Sequence, residues 1–130
     1  DRGSPGVAAM HWTEIATRTV GDVVLVDLRG RATIADESAL ASDTIRELLR
    51  EGRTKILVNL VHVPYIDSLG VGDIVRGFIA TERAGGTLKL CGVAGRIRTV
   101  LDAIQLSGVI ESYESEQDAL RSFGAPVEGA

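Results

Sequence analysis

Residues 55–61 (KILVNLV) constrain the fold more than any other segment, because all but two of them are apolar. A strand with one face in water alternates apolar and polar residues, whereas a short continuous apolar run is typical of a strand buried on both faces. Such a strand lies inside a sheet and needs other structure packed above and below it. At 130 residues the chain can supply that cover from a single domain.

Strand-like and helix-like patterns alternate on either side of this run. The turn signal Gly21-Asp22 separates two β-rich segments and predicts a hairpin. Apolar residues at helical spacing predict helices over residues 34–52, 70–84, 96–104 and 115–123, and further short strands are predicted at 87–91 and 109–110. We therefore predict an α/β fold, with a mixed β-sheet of about five strands and helices packed largely on one face.

Both ends of the chain differ in composition from the middle. Residues 1–10 are rich in small residues, glycine and proline, and Met10 resembles a natural start, so we expect a disordered segment or an expression remnant. Residues 125–130 are again small and turn-prone and predict a flexible tail. The single domain is expected to span residues 11–124.

Composition and charge exclude several classes of function. Fourteen basic residues against eighteen acidic ones give a net charge of −4, and aromatic residues make up only 4%. Nucleic-acid binding is not expected, since it needs clustered cations and stacking platforms. Apolar runs are too short and interrupted to predict a membrane span. One cysteine, Cys91, cannot form an internal disulfide, which favours a reducing, cytoplasmic compartment.

The segment 67–72 (DSLGVG) follows the predicted central strand and opens the second long helix. Asp67 and Ser68 carry short oxygen-bearing side chains suited to capping the free N–H groups of a helix start. Gly70 and Gly72 add no bulk there. A helix N-terminus also attracts anions, so the segment can be read either as a cap with packing glycines or as a functional loop.

This segment resembles the Asp-Ser-(Ser/Thr)-Gly-(aliphatic)-Gly motif of STAS domains, the family of bacterial anti-sigma factor antagonists. The resemblance continues through residues 55–60, 85–90, 100–108 and 116–120, and covers about residues 12–123. It implies the STAS fold and a regulatory, non-enzymatic role.

The family implies a partner switch. An unphosphorylated antagonist binds an anti-sigma factor that is also a serine kinase, and the kinase inactivates the antagonist by phosphorylating the motif serine, which Ser68 matches. The implied partner surface comprises Asp67, Ser68, Leu69, Gly70, Gly72 and Thr33. Because the chain has apolar strands and helix stripes but no metal-ligand spacing, we expect no metal or cofactor, and we expect a monomer or weak dimer.

Two departures from the family pattern leave an alternative open. Leu69 stands where many relatives have Ser or Thr, and Arg29 and Arg31 lie where many antagonists carry acidic residues. A STAS scaffold or transporter-associated subunit without a phosphorylation cycle therefore remains an alternative.

An enzyme is the less favoured alternative. A hydrolase using Ser68 would need a base, and the chain offers only His11 and His62. These histidines and Cys91 have no metal-ligand spacing. The sequence contains no GxxxxGKS-type phosphate loop, and Gly70-Val71-Gly72 alone is too short to specify a dinucleotide site. Arg96 and Arg98 predict solvated surface charge, and Cys91 a small core residue.

Overall fold

The computed structural model describes residues 12–30 and 40–124. Its elements, in chain order, are β1 (Glu14–Val20), β2 (Val23–Arg29), α1 (Ala41–Arg50), β3 (Lys55–His62), α2 (Ser68–Arg83), β4 (Thr87–Cys91), α3 (Gly95–Ala103) and α4 (Glu116–Ser122). The predicted helix and strand positions are confirmed wherever they fall within these residues, except for the strand at 109–110.

The sheet is mixed, as predicted. Its strand order is β1-β2-β3-β4, with β1 antiparallel to β2 and the other two pairs parallel. Val20 pairs with Val23 across the two-residue turn, where Gly21 adopts a φ of +63°. The apolar run 55–61 forms β3 between β2 and β4, which explains its continuous hydrophobicity.

In the described residues the sheet has four strands, where the sequence predicts about five. The expected strand at 109–110 is replaced by a 3₁₀ turn, Leu106–Gly108, and a single bridge between Leu90 and Ser112. The N–H of Leu90 donates to the carbonyl of Glu111, and the N–H of Tyr113 donates to the carbonyl of Leu90, both at 2.9 Å. A pattern of two adjacent apolar residues fits a short strand as well as it fits a turn followed by a single bridge, so the sequence could not distinguish the two.

Helices cover one face of the sheet much more than the other. Helices α1, α2 and α3 share a core with alternate residues of the strands, whereas α4 alone packs on the opposite face. The strand residues of the larger core are Val24, Val26, Leu28, Ile56, Val58, Leu60, Leu88 and Leu90. Those facing α4 include Val23, Leu25, Leu57 and Cys91.

Helices α1 and α2 pack closely and run parallel. A Cβ on Gly77 would lie 2.5 Å from Cδ1 of Ile45, so a side chain at this position would have to displace the end of the buried Ile45. Four residues earlier on both helices, Asp73 of α2 meets the start of α1 at Ala41. The two contacts are four residues apart, in the same direction, on both helices, so α1 and α2 run parallel.

The carboxylate of Asp73 caps α1 from outside that helix. Its Oδ2 accepts from the N–H of Ala41 at 2.6 Å and its Oδ1 from the N–H of Ser42 at 3.0 Å, while α1's own N-cap, Leu40, has no side-chain cap. Oδ2 also accepts from Nε1 of Trp12 at 2.8 Å. Asp73 is only 2% exposed. This buried carboxylate of α2 therefore links Trp12, which precedes β1, to the start of α1.

We expect Asp73→Ala to lower the free energy of unfolding by about 3 kcal/mol, since it leaves several buried N–H groups without an acceptor. Asp43→Ala is the matched control, because Asp43 is an exposed acid in the first turn of α1. Its effect should stay within about 0.5 kcal/mol. Urea denaturation measures both variants, and equal losses would contradict the role assigned to Asp73.

Candidate functional site

The start of α2 is built by the five residues 63–67 that follow β3. Asp67 is the N-cap, and its Oδ1 accepts from the N–H groups of Leu69 at 3.0 Å and Gly70 at 3.2 Å. Of the two residues considered as caps, Asp67 therefore fills that position, and Ser68 becomes the first helical residue.

Ser68 presents its side chain to solvent. The residue is exposed, and within the described part of the chain its hydroxyl makes no hydrogen bond. Leu69 beside it is 52% exposed, and Asp67 is partly buried. A hydroxyl in this position is open to a modifying enzyme and to a binding partner.

The two glycines of the segment have different surroundings. Gly70 is buried, and a Cβ there would lie 3.0 Å from Cγ1 of Ile66 and 3.4 Å from Cη2 of Trp12. At Gly72 a Cβ would meet only Nη1 of Arg76, at an ordinary 3.6 Å. The lack of a side chain at Gly70 therefore lets Ile66 and Trp12 pack closely beneath the loop. Thr33, the remaining predicted partner residue, lies outside the described residues.

Exposed apolar side chains accompany the serine, a feature that the sequence analysis missed. Val61 is 60% exposed, Tyr65 45% and Leu69 52%, all within nine residues of chain. A cleft of about 230 Å³ adjoins Val61 between the end of β3 and the start of α3. The sequence signal that could have indicated these exposed apolar residues was Tyr65, an aromatic residue in a loop. Because single exposed apolar residues are common, the sequence could not show that all three of these are exposed.

A polar cluster on the α4 face of the sheet was also missed. Nε of Arg18 donates to Oδ2 of Asp27 at 2.6 Å, and Nη2 of Arg18 donates to Oε1 of Glu116 at 2.7 Å. Nδ2 of Asn59 donates to Oδ1 of Asp27 at 2.8 Å. Burial raises the pKa of Asp27, but the hydrogen bonds from Arg18 and Asn59 outweigh it and hold that pKa below its ordinary value. These contacts tie three strands to α4 and have a structural role.

Of the residues considered for enzymatic chemistry, Cys91 and His62 lie within the described residues, and neither makes a hydrogen bond with Ser68 there. Cys91 is fully buried, and burial is the main cause that raises its pKa to about 12, as fits a core residue. His62 is exposed at the end of β3, and no hydrogen bond joins it to Ser68 within the described residues. His11 lies outside them.

The described residues contain neither a metal-binding cluster nor a membrane-spanning helix. Residues 12–30 and 40–124 contain no group of three or more His, Cys, Asp or Glu side chains arranged to hold a metal ion. None of the helices in these ranges has the length and apolar character needed to cross a bilayer.

A mixed sheet whose buried central strand leads into a capped helix defines an α/β domain, and the first residue of that helix is an exposed serine. The STAS domain family model matches residues 14–119. The chain therefore belongs to the STAS domain family.

The chain is similar to several known proteins. A Thermotoga neapolitana protein, provisionally named an anti-sigma factor antagonist homologue, is 28% identical over 103 residues, which are 79% of this chain and 91% of that protein. Among solved structures, a Mycobacterium paratuberculosis anti-sigma factor antagonist is 14% identical with a TM-score of 0.71, covering 84% of this chain and 92% of that one. Phosphorylated SpoIIAA from Bacillus is 21% identical with a TM-score of 0.59, covering 85% and 99%.

We expect Asp67→Ala to lower the free energy of unfolding by about 1 kcal/mol, because two N–H groups at the start of α2 lose their acceptor. Asp67→Asn should retain most of the stability, since asparagine also caps helices well. Ser68→Ala is the matched control and should change stability by less than about 0.5 kcal/mol, because Ser68 is exposed. Thermal and urea unfolding test the order of the three variants. A larger loss for Ser68→Ala than for Asp67→Ala would contradict the cap assignment.

Proposed function

We propose that this chain is an anti-sigma factor antagonist, which binds an anti-sigma factor with serine kinase activity and is released when Ser68 is phosphorylated. The observation that carries the proposal is the exposed Ser68 at the first position of α2, directly after the capping Asp67, in the segment that resembles the STAS motif. The function is non-enzymatic and takes place in the cytoplasm. The protein itself acts as a monomer or weak dimer and needs no cofactor.

The relatives support both parts of this proposal. The Thermotoga and Mycobacterium proteins are named for anti-sigma factor antagonism. SpoIIAA has been solved in its phosphorylated form and in its unphosphorylated form, so one STAS fold accommodates a phosphate. We infer the same chemistry at Ser68 of this chain.

The partner surface is inferred to centre on the start of α2. Ser68 and Leu69 are exposed there, and Tyr65 in the preceding loop and Val61 at the end of β3 are exposed as well. Apolar side chains around a polar centre are suited to a binding interface that excludes water. Asp67, Gly72 and Thr33 complete the proposed surface, while the buried Gly70 supports it from beneath.

Phosphorylation would act through charge. A phosphate on Ser68 adds about −1.5 to −2 charges at neutral pH. The N-terminus of α2 tolerates an anion, so the fold is expected to persist. In the complex the same charge would have to lose its water beside Asp67 and the exposed apolar side chains, which weakens binding.

Incubation with the cognate kinase and ATP is expected to place one phosphate on Ser68, because this hydroxyl is exposed at the helix start. Ser68→Ala should abolish the labelling, and intact-mass spectrometry with peptide mapping measures it. Labelling that persists unchanged in Ser68→Ala would overturn the assignment.

The Leu69→Thr variant restores the family pattern after the serine. Phosphorylation of Leu69→Thr but not of the wild type would show that Leu69 blocks the kinase, and would favour a STAS scaffold or transporter-associated subunit for the natural chain. Absence of labelling in both variants with every kinase-type anti-sigma factor of the cell would also count against the phosphorylation cycle.

Ser68→Asp is expected to weaken binding to the anti-sigma factor by about tenfold or more, because the interface must desolvate the added charge. Ser68→Ala loses one hydroxyl, worth about 0.5–1.5 kcal/mol, and should retain most of the affinity. The thermal midpoint of Ser68→Asp should stay near that of the wild type. Calorimetric titrations and melts measure these quantities. Equal affinities of Ser68→Asp and Ser68→Ala would contradict the electrostatic mechanism. A large drop in the thermal midpoint of Ser68→Asp would show that residue 68 has a structural role.

A further inference from the structure

A groove between α1 and α2 lies outside the site at Ser68. It encloses about 530 Å³ and is lined by Arg46, Leu49, Arg50, Arg76, Ile79, Ala80, Arg83 and Ala84. Ile79 is 43% exposed and Leu49 is half-buried, so the floor of the groove is apolar and accessible to solvent. The small side chains of Ala80 and Ala84 leave the space open.

The charge of this groove is opposite to that of the chain. Four of the 14 basic residues line it, although the net charge of the chain is −4, and the lining includes no acidic residue. Among the described residues, the one ion pair of Arg46 is a long contact with the exposed Asp43, at 3.5 Å. Arg76 lies 3.8 Å from Asp73, whose oxygens already accept other hydrogen bonds. In the part of the chain that the structure describes, Arg50 and Arg83 have no ion pair.

The spacing of the arginines follows the two parallel helices. Arg76 and Arg83 are seven residues apart on α2, about 10 Å along its axis, and Arg46 and Arg50 are four residues apart on α1, about 6 Å. Carboxylates at positions i and i+7 of an approaching helix have the same separation as Arg76 and Arg83. Apolar residues between those carboxylates would reach Ile79 and Leu49.

We propose that this groove binds a partner protein through an acidic amphipathic helix, with carboxylates paired to the arginines and apolar side chains on the floor. The mixed lining favours this occupant, because a phosphate or a nucleic acid would use the arginines and leave Ile79 and Leu49 exposed. The proposal does not depend on the proposed function. It concerns residues 46–50 and 76–84, and it holds whether or not Ser68 is phosphorylated.

The test uses a fluorescein-labelled synthetic peptide of about 14 residues, or four helical turns. The peptide has glutamates at i and i+7 around a leucine stripe, in an alanine-rich background. Fluorescence anisotropy with the full chain should show saturable binding that weakens severalfold in about 0.5 M NaCl. A scrambled peptide of the same composition should not bind.

Variants of the groove give the specific readout. Arg50→Glu combined with Arg83→Glu should weaken peptide binding at least tenfold, and the Gln pair at the same positions should lie in between. Arg96→Glu is the matched control, because Arg96 is exposed but outside the groove. Ser68→Asp should bind the peptide as the wild type does, which separates this proposal from the one at Ser68. Thermal melts check that every variant is folded.

Several outcomes would overturn the proposal. These are equal binding by the scrambled peptide, equal binding by the groove variants, or a loss in Arg96→Glu as large as in the groove pair. Binding of inorganic polyphosphate or anionic vesicles without binding of the peptide would identify a general anion surface. Self-association in sedimentation that the groove variants abolish, without peptide binding, would identify a second copy as the occupant.

Discussion

The buried carboxylate of Asp73 is the interaction on which the rest of the arrangement depends. It accepts hydrogen bonds from Trp12, Ala41 and Ser42, which belong to two other parts of the chain. A charge at 2% exposure is costly to bury, and it is tolerated because both oxygens are satisfied by donors, including the N-terminus of α1 with its partial positive charge. The same contact fixes α1 beside α2, and so determines both the groove between them and the position of the loop at Ser68.

Sequence reasoning predicts the layers of this fold well because they follow from periodicity. The uninterrupted run 55–61 predicts a central strand, and the structure places β3 between two neighbours. The spacing of Ile45 and Leu48 predicts a helix, and both are buried in α1. The strand expected at 109–110 is wrong, because pairing there is limited to one bridge at Ser112 and depends on the turn before it. Such a turn, with Gln105 at a φ of +62°, has no signature in hydrophobic pattern.

The candidate site shows the same division between local and long-range information. The cap at Asp67 involves residues two and three positions away, so it could be predicted from the segment alone. The contacts of Asp73 with Trp12 and Ala41 span 61 and 32 residues, and no local pattern reports them. The one available signal was an acidic residue within the buried stripe of α2, beside Ile74 and Gly77. The arginine groove was missed for the same reason, since three of its lining residues come from α1 and five from α2 and its C-cap.

The parallel pairing of β2, β3 and β4 has a consequence for the electric field of the domain. Each of these strands is followed by a helix that returns along the sheet, so α1, α2 and α3 all begin at the edge where the strands end. Their macrodipoles therefore point the same way and add their positive ends at that edge. At the other end, Arg50 and Arg83 lie in the last turns of α1 and α2, where they offset the negative ends. At the edge where the strands end, the carboxylates of Asp73 and Asp67 already lie on the positive ends of α1 and α2, so an anionic partner would be steered toward the arginines at the opposite ends of the two helices during encounter.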